Sequence, residues 1–102
     1  MEILREKGKP MTLFGYEYQL TISLRTLAEI RDQFGPLEEL MLNYETIPVI
    51  LAIMVQDYCR KHPDAPTIDP EELKEYLDLS DVQNLQKFIQ EILNPKDDKS
   101  KN

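Results

Sequence analysis

The stretch Ile47-Pro48-Val49-Ile50-Leu51-Ala52-Ile53-Met54-Val55-Gln56-Asp57-Tyr58-Cys59-Arg60-Lys61 decides the fold, because as a helix it has more apolar surface than a single face can use. At about 100° per residue, Ile47, Ile50, Leu51, Met54, Val55 and Tyr58 form one broad stripe that is expected to face the interior. Val49 and Ile53 fall on the opposite side, beside Gln56 and Arg60. Two things can cover that side: another chain, or a second helix of the same domain in a small bundle. On the first alternative Val49, Ile53 and Gln56 are partner-binding residues. Thr46 is placed to cap the helix and Pro48 is tolerated in its first turn. His62-Pro63 ends it, since the residue before proline is pushed out of α geometry.

Upstream, Tyr16, Tyr18, Leu20 and Ile22 alternate with Glu17, Gln19 and Thr21, the period-two pattern of a half-buried strand. Gly15 follows Met11-Thr12-Leu13-Phe14 as a turn, so a β-hairpin is expected over 11–22, leaning on helices because an isolated hairpin is marginal in water. Tyr16 and Tyr18 are candidate recognition aromatics on an exposed strand. Packing against the first helix is the stronger explanation, because they share a face with Leu20 and Ile22. Residues 1–10 are expected to form an arm or an extra strand.

Ser23 is placed to cap a helix whose Leu24, Leu27, Ile30 and Phe34 share one sector, and Gly35-Pro36 stops it. A short helix from Leu37 to about Leu42 follows. Asp69-Pro70-Glu71-Glu72 is a strong start signal for another short helix, with Leu73, Tyr76 and Leu77 turned inward. Ser80 and Gln83 form an expected capping box for the last helix, in which Val82, Leu85, Phe88, Ile89, Ile92 and Leu93 share a side. The chain is expected to be mainly α in an α+β arrangement. A short hairpin packs on four main helices and one short one, in a single domain over 11–94 followed by a disordered charged tail over 95–102.

A length of 102 residues with net charge −7, nineteen acidic against twelve basic, points to one small core and a field that repels phosphate backbones and anionic lipid. Neither nucleic acid nor membrane is expected as a partner. The longest apolar run falls far short of the roughly 20 residues of a membrane span, and charges interrupt 1–10 where a signal peptide needs an apolar core. A soluble, intracellular chain is expected.

Chemistry is sparse in this sequence. Cys59 is the single cysteine and His62 the single histidine, which leaves no intramolecular disulfide and no multi-cysteine metal site. Their spacing on a helix invites a thiolate pair, but no orienting third group or oxyanion donor accompanies them. The cluster Asp69, Glu71, Glu72, Glu75 lacks the alternating ligands and central glycine of a calcium loop and reads as a capped, solvated helix. No catalytic residue, metal or cofactor is therefore expected, and the chain reads as a binding protein.

The order of elements resembles a known family. Thr12-Leu13-Phe14-Gly15-Tyr16-Glu17-Tyr18-Gln19-Leu20, Ser23-Leu24-Arg25-Thr26-Leu27-Ala28-Glu29-Ile30 and Gln33-Phe34-Gly35-Pro36-Leu37-Glu38-Glu39-Leu40 are similar to the tail assembly chaperones of long-tailed bacteriophages and prophages. Asp69-Pro70-Glu71-Glu72-Leu73 before a leucine-rich helix also fits, so the likeness runs from about Met11 to Leu93. The resemblance implies a non-virion factor of the host bacterial cytoplasm. It would bind and solubilise the apolar, helical tape measure protein and help the major tail protein polymerise around it. Many members of that family are also made in a longer, frameshifted form. A self-associating acidic helical adaptor, buried between copies at Val49 and Ile53, is the alternative; homo-oligomers fit both.

Overall fold

The computed structural model describes residues 8–93. It is an α+β fold in which β1 (Lys9–Leu13) and β2 (Tyr16–Leu20) form an antiparallel hairpin and four helices follow among the described residues. These are α1 (Leu24–Phe34), α2 (Ile47–Lys61), α3 (Pro70–Tyr76) and α4 (Leu79–Leu93), with a 3-10 turn at Leu37–Glu39 in place of the expected short helix. Residues 1–7 and 95–102, expected as arm or strand and as tail, lie outside the described residues. Lys9 and Pro10, which the sequence placed in the arm, pair with Leu20 and Gln19. The proline sits where its missing N–H costs no bond, as strand prolines must.

The hairpin turns through Phe14 and Gly15, with φ of 53° and 82° and the pair Leu13↔Tyr16 closing it. Positive φ at both central residues is the two-residue turn whose twist matches paired strands. Phenylalanine is an unusual residue there, and its ring rests on Tyr76 with centroids 4.3 Å apart, which ties the hairpin tip to the end of α3. At the other end, Lys9 lies over Phe88 of α4, 5.8 Å from the ring centroid.

Local cap chemistry starts and stops the helices. The Ser23 hydroxyl accepts the Thr26 N–H (3.2 Å), and Gly35 closes α1 by donating to the Arg31 carbonyl (2.8 Å). At α3, which starts where the sequence placed it, the Asp69 N–H donates to the Glu72 carboxylate (3.0 Å). Two other caps differ from expectation. Thr46 is itself helical in backbone and its hydroxyl donates back to the Met41 carbonyl (2.6 Å); Asn43 Oδ1 takes the N–H groups of Glu45 and Thr46 (2.8 and 3.0 Å). At α4 the box is formed by Asp78 and Asp81 rather than Ser80 and Gln83, each carboxylate accepting the other's N–H (2.9 and 3.1 Å). A short carboxylate two residues earlier supplies the acceptor instead. Removing it by Asp78→Ala is expected to lower stability by about 1 kcal/mol, read as a reduced urea midpoint.

Helix α2 is the central strut of the molecule, in contact with β2, α1, α3 and α4. Ile47, Ile50, Leu51, Met54 and Val55 are fully enclosed, joined by Leu13, Tyr18 and Leu20 of the hairpin, Ile30 of α1, Leu73 of α3, and Leu85 and Ile89 of α4. Ile53, on the side that either a partner chain or a second helix of the domain could cover, is only 6 % exposed, and Ala52 near it is also buried, so it is a core residue rather than a partner-binding one. The reason lies in α1. Arg60 pairs with Glu29 of that helix (3.8 Å) and with the buried Asp57 (3.8 Å), so α1 runs along the side where Ile53 sits. A helix apolar all round belongs in the middle of a fold. What remains open on this side of α2 is a narrow strip of exposed Gln56 and Arg60 with half-buried Val49 between.

Candidate functional site

The five residues singled out from the sequence do not come together as one surface. Ile53 is core; Val49 is half-buried and packs against the core; Gln56 alone is exposed. Tyr18 is wholly enclosed, and its hydroxyl donates to the Pro66 carbonyl (2.6 Å). Tyr16 is half-buried against Tyr18, with centroids 4.8 Å apart. The aromatic row continues from Tyr18 to Tyr58 (5.5 Å) and from Tyr58 to His62, which stacks on it at 4.1 Å. These rings brace the connector after α2.

Cys59 belongs to the same brace, because its thiol donates to the Pro66 carbonyl at 3.4 Å and so shares that acceptor with Tyr18. His62 directs Nδ1 to the Tyr58 carbonyl (3.1 Å) at the end of α2. The pair is thus occupied in closing a helix and pinning a loop. Burial raises the Tyr18 phenol and the Cys59 thiol above their ordinary values, as it does Tyr16. A neutral acid whose folded-state pKa is raised keeps its proton after the unfolded chain has lost its own, so stability is present below the unfolded pKa and falls as pH rises through about 10. The variant Tyr18→Phe is expected to lose about 1 kcal/mol at neutral pH, from the missing bond to Pro66. It should also melt with a shallower alkaline decline than the parent, as thermal scans across that range would read.

The surface that sequence reasoning missed lies where three separate segments meet. The turn before α2 contributes Tyr44, Glu45 and, in the first turn of the helix, Pro48; the end of α3 contributes Lys74 and Leu77; Asp78, Leu79 and Val82 open α4. Together they line a groove of about 410 Å³. Its rims are apolar and open, with Tyr44 70 % and Leu79 66 % exposed. Its sides are held in place by the Asp78–Asp81 box and by Gln86, whose side-chain amide donates to the Leu42 carbonyl (3.2 Å) and joins α4 to the segment before Tyr44. Lys74 is drawn to Glu71 of its own helix (3.5 Å), while Glu45 has no cation within 4.0 Å among the described residues.

Two signals in the sequence pointed to this place. Leu79 lies off the stripe that runs from Val82 to Leu93, and Tyr44 is a lone aromatic between Asn43 and Glu45. An apolar residue that fits no inward stripe is the kind left for solvent or a partner.

A second departure from the expected burial is on α1. Leu24, placed in its inward sector, is 84 % exposed, and Leu27 is half-buried outside the core cluster. Thr26, between them, is buried instead, so the first turn of α1 directs the threonine inward and leaves Leu24 in solvent.

Among the described residues no group of three or more His, Cys, Asp or Glu side chains is placed to hold a metal ion, and no helix is long and apolar enough to cross a membrane. No protein-family model, curated protein or solved structure matches this chain.

Proposed function

We propose that this protein is a tail assembly chaperone that keeps the tape measure protein soluble and assists assembly of the tail tube around it in the host cytoplasm. The observation that carries this reading is the open apolar groove between the start of α2 and the α3–α4 corner, with Tyr44 and Leu79 on its rims. A helical client presents apolar side chains at intervals of one turn, and grooves between helices accept them in that form. The strong negative charge keeps a chaperone with its client from precipitating. The likeness of the hairpin, of the helix ending in Phe-Gly and of the acidic helical remainder to that family supplies the identity of the client.

The test is co-expression with a tagged fragment of a tape measure protein from the same genome. The two are expected to copurify and the fragment to stay in the supernatant. The double variant Tyr44→Ser/Leu79→Ser should fold and lose the fragment to the pellet. If the fragment is as insoluble with the parent protein as without it, the proposal fails.

A second reading, a self-associating adaptor, is favoured by the exposed Leu24 beside half-buried Leu27 on α1. Two copies meeting at Leu24 and Leu27 would bury both side chains. Sedimentation at high concentration separates the readings: a dimer that Leu24→Asp converts to monomer supports the adaptor, and a strict monomer removes it.

A further inference from the structure

We propose that the occupant of the groove is an amphipathic helix whose apolar face is flanked by lysine or arginine side chains. This rests on the reading of the groove as the binding surface and adds the chemistry of what binds there. The floor and rims are set by Tyr44, Pro48, Leu77, Leu79 and Val82, which can take apolar side chains one helical turn apart. The polar lining is acidic in balance. Glu45 on one wall lacks a cation within 4.0 Å among the described residues, and Asp78 on the other is ionisable and solvent-exposed. The one cation of the lining, Lys74, lies beside Glu71 and is to that extent neutralised.

The surroundings reinforce this sign. Between residues 64 and 81 the chain carries seven carboxylates against the single base Lys74. Glu71, Glu72 and Glu75 lie on α3 beside the groove wall, all exposed. Arg60 and Lys61, the nearest basic pair in sequence, are tied to Asp57 at the far end of α2. An incoming helix therefore meets an apolar slot inside a negative field, and a second copy of this acidic domain would meet repulsion there. Complementary charge raises the rate of encounter and fixes orientation, while the apolar contact holds the complex. Tyr44, 70 % exposed at the rim, offers its ring to an arginine guanidinium.

The experiment measures binding of fluorescent synthetic helices of about 18 residues by anisotropy. Three peptides share one length: a leucine face flanked by lysines, the same face flanked by glutamates, and the lysine set with the leucines replaced by serine. The lysine-flanked apolar helix is expected to bind about tenfold more tightly than the glutamate-flanked one at about 50 mM salt, with the gap narrowing to about twofold at about 500 mM. Glu45→Lys should shrink the gap, and Leu79→Ser should weaken the lysine-flanked helix at both salt levels; both positions are exposed, and an unchanged melting curve certifies the fold. Equal binding of the two leucine-faced peptides overturns the proposal. Binding of the serine-faced peptide as tight as that of its leucine parent overturns it too, since charge alone would then suffice.

The two proposals fail separately. A tape measure fragment that copurifies through Tyr44 and Leu79 while the peptides show no preference for sign leaves the chaperone reading standing and removes this one. A clear preference for the lysine-flanked helix with no capture of the fragment does the reverse.

Discussion

Ile53→Asp is expected to abolish cooperative folding, and Ile53→Ala to leave a folded protein weakened by about 2–5 kcal/mol. Ile53 is 6 % exposed in the middle of α2, on the side where α1 runs. A truncated side chain leaves a cavity there that the neighbours only partly fill, because packed interiors relax little. A carboxylate at the same place has to give up its hydration, and the nearest cation of α2 on that side, Arg60, is already shared between Asp57 and Glu29. Small domains hold only about 5–15 kcal/mol in reserve, so the charged variant exhausts what the alanine variant reduces. Urea denaturation followed by circular dichroism reads both. Gln56→Asp, on the exposed strip of the same helix, serves as the control and should move stability by no more than about 0.5 kcal/mol. If Ile53→Asp folded as well as that control, Ile53 would be a surface residue and the central place of α2 in the fold would be wrong.

Gly35→Ala is expected to cost about 1–3 kcal/mol although a methyl group at that position would meet nothing within 4 Å. The cost comes from the backbone. Gly35 has φ 89° and ψ −160°, a region open to glycine and closed to residues with a Cβ. The same conformation lets its N–H reach the Arg31 carbonyl and turns the chain toward Leu37 and Leu40, which pack against the core. Alanine must therefore strain in place or shift the turn and loosen those leucines. Gly15→Ala is the comparison, because Gly15 has φ 82° and is likewise uncrowded, but it sits in a hairpin turn at the surface. Differential scanning calorimetry should show both variants melting below the parent with unchanged secondary structure. A Gly35→Ala protein that melts at the parent temperature would mean that the turn relaxes freely and that α1 is not anchored through it.

Much of this fold could be read from the sequence because its signals are local. Ser23, Gly35 and Asp69-Pro70 each act within a few residues, and each does in the structure what its chemistry dictates. The hairpin was legible for the same reason, from alternation and a glycine. Caps were misplaced where two acceptors compete within one turn: Asn43 displaces Thr46, and the Asp78–Asp81 box displaces Ser80. The side of α2 bearing Ile53 stays open in the sequence for a different reason. A helical wheel shows that two sides are apolar, but whether a neighbouring helix or a partner covers the second depends on how α1 packs, and that is written in Glu29 and Arg60, 31 positions apart.

The groove was the hardest to foresee, since Tyr44, Leu77 and Leu79 become neighbours only after α2, α3 and α4 have docked. In sequence, Tyr16 and Tyr18 fit both a recognition edge and packing against the first helix. Tyr18 packs on Tyr58 of α2 and on Pro66 of the connector, and Tyr16 on Tyr18, so they are packing residues, but the element they pack on is α2 rather than the expected first helix.

Titrating the isotope-labelled protein with the tape measure fragment and following backbone amide shifts tests the central claim most directly. The largest shifts are expected at residues 44–48 and 77–82 along the groove, with Gln56 and Arg60 unmoved. Shifts centred on Val49, Gln56 and Arg60, with the groove silent, would contradict it.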